Sequence, residues 1–405
     1  MLKRILFCGL YIIIFLITWK QDSNAKIWEN CKVPADSIIA AINRGDTVTI
    51  NGCEIVGTLS ITGTPQKRFI IKSPITGFGN VFDDSVFFYS CDFLSEIDFL
   101  GASFLKYTGF SGVNFRKGVY YRGCDFDDRT YFLLCKFKMG AYFEGSTFNK
   151  FSSFAADTFL DTASFLQDTF RGIVSFTDAH FLKGVTFAGV DFGENAAFVR
   201  TQFDGKVNLT STHFDKIIIL WKQIEGRLVC DNLTSFKLMR YFDDQRMLDG
   251  VDGVYFFLKD QERVGKPWYY RYPEFWFIQL TCGYGVKPGY TFLWSACIIL
   301  LFTVFYTLRY NSIKEIENKF LYSKRPRVLR KVRRSFTKRL YDAFYFSATT
   351  FIIGIVSDWH PTDEFLIKSK RFRLIKFRTL SMIEGILGWV LLVLFVVTLT
   401  RKFIR

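Results

Sequence analysis

Phenylalanine occupies positions 93, 104, 115, 126, 137, 148, 159, 170, 181, 192, 203 and 214, twelve successive sites spaced by eleven residues without an exception. A second column, six residues on, runs Phe99, Phe110, Tyr121, Phe132, Phe143, Phe154, Phe165, Phe176, Phe187, Phe198, Leu209 and Leu220. The spacing of large apolar residues therefore alternates between six and five. An eleven-residue period also occurs in right-handed coiled coils, but at about 100° per residue Phe93 and Phe99 would stand about 240° apart on a helix, leaving no single apolar stripe. Two residues before the aromatic positions sit mostly small side chains, among them Ala102, Val113, Cys124, Ala141, Ser152, Ala163, Val174 and Val185. A separation of two puts both side chains on one face of an extended segment. Each unit thus reads as a short strand with two inward residues.

Composition agrees with a repeat, since Phe makes up 48 of 405 residues while Pro (8), Met (5) and His (3) are scarce. Tandem units with a small residue at i−2 and Phe or Leu at i resemble those of pentapeptide-repeat proteins. The resemblance implies an all-β, right-handed quadrilateral β-solenoid over residues 86–222, here with alternating rather than strict five-residue spacing. Four sides of 5, 6, 5 and 6 residues make a 22-residue coil, so the repeat predicts about six coils, roughly 29 Å long at ~4.8 Å per strand. Residues 26–85 carry the short β-branched runs Thr47–Ile50, Gly57–Ile61 and Phe69–Ile71, read as an irregular N-terminal β cap against open sheet edges. Residues 223–289, with Phe236–Phe242 and Val254–Leu258, read as a helical cap and amphipathic linker.

Lys3 and Arg4 precede an apolar run from Ile5 to Trp19 and the small-residue site Ser23-Asn24-Ala25. That order is a secretory signal over residues 1–25, or an uncleaved signal anchor, and either places residue 26 onward outside the cytoplasm. Cys31 and Cys53 fall in the first exported segment, 22 residues apart, and can close a loop in an oxidising compartment. Cys91, Cys124 and Cys135 occupy the small-residue column and read as buried hydrophobes, not metal ligands.

Tyr290–Leu308 holds 19 residues without a charge and Leu380–Leu399 holds 20 with only Glu384, each long enough to cross about 30 Å of hydrocarbon. A basic loop, 309–340, with 12 Lys+Arg against 2 Glu, follows the first of them. Then comes a semi-apolar stretch, Tyr341–Pro361, too short and interrupted to span. Residues 290–405 thereby resemble the two-helix, potassium-channel-like pore domain, in which a pore helix leads into Thr-Thr-x-Gly-(Tyr/Phe)-Gly-Asp. The filter candidates are Thr349, Thr350, Ile353, Gly354, Ile355, Val356, Ser357 and Asp358. With Asp358 aligned, Ile355 and Ser357 stand at the two Gly positions and Val356 at the aromatic one, so the order is kept and the chemistry is changed. A filter coordinates ions through backbone carbonyls, and a β-branched residue at a left-handed position costs roughly 1–2 kcal/mol. Thr281-Cys-Gly-Tyr-Gly285 looks closer to a filter but precedes the first span, and reads as a linker.

Residues 290–405 carry 21 Lys+Arg against 7 Asp+Glu, leaving 32 against 31 for the remainder of the chain. Basic blocks beside apolar spans indicate anionic lipid on the cytoplasmic side of a multi-pass cell-membrane protein, not nucleic acid. Loop 309–379 is then cytoplasmic and the solenoid extracytoplasmic, which turns the pore loop opposite to ordinary potassium channels. The alternative is that the signal reading fails and the solenoid is cytoplasmic with the basic loops outside, and charge favours the first. Three His, His180, His213 and His360, with no nucleophile motif or phosphate loop, give no catalytic constellation, and neither a metal nor another cofactor is expected. Glu384, alone in a span, is a functional candidate by default, though near the helix start it can also reach the interface. Two functions stay open: a homo-oligomer, tetrameric if a channel, that conducts cations, or a non-conducting anchor presenting the solenoid for binding.

Overall fold

In the computed structural model the described residues are 25–308, 313–315, 336–354, 359–361, 365–368 and 373–404. The signal segment up to residue 24 and the filter positions Ile355, Val356, Ser357 and Asp358 lie outside them. The chain divides into two compact units, Met1–Val254 and Tyr255–Arg405.

The first unit is a parallel β-solenoid whose four sheets hold ten, nine, eight and seven strands. Strands pair 22 residues apart, as in Phe93↔Phe115 and Phe126↔Phe148, because one coil consumes two eleven-residue units. Like therefore stacks on like: Phe137 and Phe159 lie 4.6 Å apart and parallel to within 1°, and Phe104 and Phe126 lie 4.8 Å apart at 4°. Rings from neighbouring columns meet edge to face, as Phe143 and Phe154 do at 5.3 Å and 79°. Such offset and T-shaped pairs add about 0.5–1.5 kcal/mol beyond the area they bury. Cys91 and Cys124 fill the small column, and burial pushes their thiols up to about 11 and about 12, so they act as small hydrophobes.

The solenoid is longer than the six coils read from the Phe columns. Its first two sheets already begin at Ala25–Glu29 and Lys32–Pro34. The segment 26–85 therefore supplies strands to the same four sheets, and its spacing is irregular as read: Val48 pairs with Ile75, Glu54 with Val81 and Leu59 with Val86, each 27 apart. The cap itself is helix α1 (Ala35–Arg44), which stands where the first coil lacks its third and fourth sides. Its Ile38 and Ala41 are fully buried.

The corners explain the alternating spacing. Residues 79, 90, 101, 112, 123, 134, 145, 156, 167, 178, 189, 200 and 211 all have φ between +49° and +71°, one left-handed residue in every five-residue step. Six of these thirteen are Gly and the others are Ser90, Leu134, Ala156, Gln167, Asp178, Arg200 and Ser211. At the far end one residue is lost: Ala196 pairs with Ile217 and Val207 with Leu228, 21 apart. Consequently Ile219 takes the core place expected for Leu220, which is 55% exposed. Helix α2 (Asn232–Asp244), started by the Asp231 carboxylate accepting from the Thr234 amide, and the first turns of α3 (Leu248–Val264) then bury Leu238, Phe242 and Val251.

Cys31 and Cys53 lie one coil apart with their sulfurs at 3.7 Å.

Candidate functional site

The second unit is built on three helices, α5 (Pro288–Leu308), α6 (Phe336–Ile353) and α7 (Phe377–Ile404). Short antiparallel pairings, Ile313–Glu315 with Trp359–Pro361 and Phe365–Lys368 with Arg373–Lys376, lie between them in the chain. Two helices qualify as membrane spans by length and apolarity, Pro288–Leu308 and Arg378–Arg401, and most of each is uncovered by the rest of the chain. Outward Leu, Val, Ile and Phe side chains of this kind suit hydrocarbon and not water. The shorter α6 packs against both. Phe302, Tyr306, Ala343, Phe346 and Leu380 form the core of their junction.

The glutamate singled out in the sequence sits inside this junction. Glu384 of α7 is fully buried among the helices. Its Oε2 accepts from the Tyr306 hydroxyl of α5 at 2.6 Å, while its Oε1 accepts from the Ser347 hydroxyl of α6. The Ser347 oxygen also lies 3.0 Å from the Ile299 carbonyl of α5. One carboxyl group thus fastens all three helices. Its partners are hydroxyls from residues 78 and 37 positions away in sequence.

A second fastening lies on the same helix of the glutamate. A Cβ on Gly388 would come within 2.0 Å of the Phe351 carbonyl, and one on Gly385 within 3.6 Å of the Thr350 carbonyl. The close approach therefore demands Gly at 388, the kind of contact that small residues provide in membrane helix packing. At this contact α6 ends: Gly354 has φ +90° and its amide donates to the Thr350 carbonyl at 3.0 Å.

Of the filter candidates, the described four are divided. The Thr349 hydroxyl donates back to the Tyr345 carbonyl at 2.7 Å, and Thr350 is fully buried with its hydroxyl unbonded. Ile353 is 67% exposed and Gly354 half-buried. At Thr281–Gly285 the chain turns, with Gly283, Tyr284 and Gly285 all at positive φ. An apolar cavity of about 420 Å³ opens between Ile299 and Leu300 of α5, Phe344 and Phe351 of α6, and Leu391 and Phe395 of α7. Among the described residues no three His, Cys, Asp or Glu side chains come together as a metal site.

Sequence reasoning reached Glu384 but not its partners Tyr306 and Ser347. Both lie in apolar stretches where a single hydroxyl carries no signal of its own.

Residues 169–213 match the family of pentapeptide repeats (9 copies). No curated protein and no solved structure matches the chain.

Proposed function

We propose that this chain, which carries a pentapeptide-repeat solenoid followed by two apolar helices, is the subunit of a homo-oligomeric membrane pore that conducts cations. The observation that carries the reading is the order long helix, short helix, long helix. The short α6 is wedged between the spans at Glu384 and Gly388 and turned at left-handed Gly354 just before the segment that ends in Asp358. Two spans from one chain cannot enclose a pathway, so conduction requires several copies. Signal-like residues 1–25 and the basic loop favour an extracytoplasmic solenoid.

The particle mass of the full-length protein in mild detergent tests the assembly. A tetramer is expected; a strict monomer contradicts the pore. A second reading, a non-conducting anchor that displays the solenoid as a binding scaffold, is favoured by one feature: Ile352 and Ile353, which lead into the loop, are both exposed and apolar. A stable oligomer without ion flux is its signature.

A further inference from the structure

Helix α4 (Trp268–Glu274), followed by a π-helical turn, Phe275–Gln279, is inside out for a segment facing water. Its large side chains point outward: Trp268 is 73% exposed, Phe277 74%, and Tyr270, Tyr272 and Trp276 between 57% and 62%. Arg271 is exposed as well, while the remaining polar groups, Glu274 and Gln279, turn inward. Glu274 is paired with Lys266 at 2.6 Å, and Gln279 donates to the Asp260 carboxylate at 2.9 Å. The same carboxylate holds Arg263 at 2.7 Å, whose guanidinium lies 5.3 Å from the centre of the Phe275 ring. Water would solvate these charges better than it solvates two indoles and several phenyl rings, so the arrangement is the reverse of an ordinary surface helix.

The segment is also tied to the start of the first span. The Trp294 indole of α5 donates to the Leu280 carbonyl at 2.9 Å, and the Thr291 hydroxyl to the Thr281 carbonyl at 3.0 Å. From α7, the Arg401 guanidinium lies over Tyr255 at 4.1 Å, which brings the last turns of the second span to this same end. The exposed rings are therefore held at a fixed depth, where both spans meet their boundary. Trp and Tyr are the residues that favour that zone, with an apolar body and a polar tip.

We infer that residues 268–278 form an interfacial collar that lies in the headgroup layer of the bilayer, its Trp and Tyr rings inserted, Arg271 free to meet headgroups and Glu274 held against the protein. The inference rests on the membrane-spanning reading of α5 and α7. A lipid surface is the chosen occupant because the collar is continuous with the spans and rigidly bonded to them.

The test uses full-length protein carrying fluorotryptophan, in lipid nanodiscs, with fluorine resonances assigned by Trp268→Phe, Trp276→Phe and Trp389→Phe. Trp389 of α7 is 55% exposed within the second span and serves as the depth reference. Expected is several-fold stronger broadening of Trp268 and Trp276 by a headgroup-level lipid nitroxide than by a water-soluble paramagnet, with Trp389 broadened by a deep-chain nitroxide. Broadening of Trp268 and Trp276 by the soluble agent alone, with Trp389 still deep, overturns the collar and leaves the spans intact. Shielding of both indoles from lipid and water alike also overturns it, since another protein surface then covers them. A Trp389 reached by the soluble agent defeats the membrane reading itself, and the collar with it.

Discussion

The Tyr306 hydroxyl and the Glu384 carboxylate meet at 2.6 Å across two apolar helices, and the same carboxylate takes the Ser347 hydroxyl of the third. Glu384→Gln keeps a carbonyl and an amide in this place and should preserve the fold of the unit. Glu384→Ala removes the acceptor that the buried Tyr306 and Ser347 hydroxyls share, at about 1–3 kcal/mol, although Ser347 keeps the Ile299 carbonyl at 3.0 Å. Thermal unfolding in detergent, followed in the helical signal, should show the Ala variant melting well below both others. Equal melting of all three variants contradicts the fastening role.

Tyr121 is fully buried in a column otherwise filled mainly by Phe, and its hydroxyl has no hydrogen-bond partner. Burial also pushes its phenol well above the usual range. Tyr121→Phe removes an unsatisfied polar atom and keeps the ring that stacks on Phe143 at 5.8 Å. The variant should gain about 1–3 kcal/mol, read as a rise in the melting temperature of the β signal.

Asp157 and Asp168 sit in the small-residue columns of the solenoid, where each Oδ1 accepts a backbone amide and each Oδ2 is buried without a partner. Asn80 shows what such a place wants: its carbonyl accepts from Cys53 and its amide donates to the Ile50 carbonyl at 2.7 Å. A protonated carboxyl can do both jobs and an ionised one cannot. Burial raises both groups well above the ordinary carboxylate range. Above the unfolded value of about 3.9 the folded state keeps protons that the unfolded chain has released. Their contribution is thus most favourable below that value and declines as pH rises towards the elevated folded values. Asp157→Asn and Asp168→Asn should raise the melting temperature at neutral pH, and their advantage over the wild type should shrink as the pH falls towards 4.

Leu134 holds φ +55° at a corner and is 66% exposed. A left-handed conformation costs an L residue roughly 1–2 kcal/mol, partly offset by the chain entropy that Gly loses. Leu134→Gly should therefore stabilise the solenoid by about 0.5–1 kcal/mol, whereas Gly145→Leu, at the next corner with φ +71°, should destabilise it. Paired melting curves decide the sign.

The regular parts of this fold were legible because they repeat. Twelve Phe at one spacing give the 22-residue coil, and two long apolar runs, the second broken only by Glu384, give the two apolar helices. What escaped was local or distant in sequence. Seven of the thirteen left-handed corners carry no Gly, so the corner column has no residue signature. The one-residue slip that buries Ile219 in place of Leu220 is invisible because both are apolar. Helix α1 replaces two sides of a coil within a segment whose neighbours are strands, and only its Ile38, Ala41 and Ile42 betray a helical face. The role of Glu384 depended on two hydroxyls that sequence spacing does not bring to it.

The most direct measurement is ion flux from liposomes holding the purified full-length protein, with potassium, sodium and chloride gradients applied in turn. Cation flux that Ile355→Gly or Asp358→Asn alters is the expected result. An absence of flux from protein that is folded, inserted and oligomeric would contradict the pore and leave the solenoid on a membrane anchor.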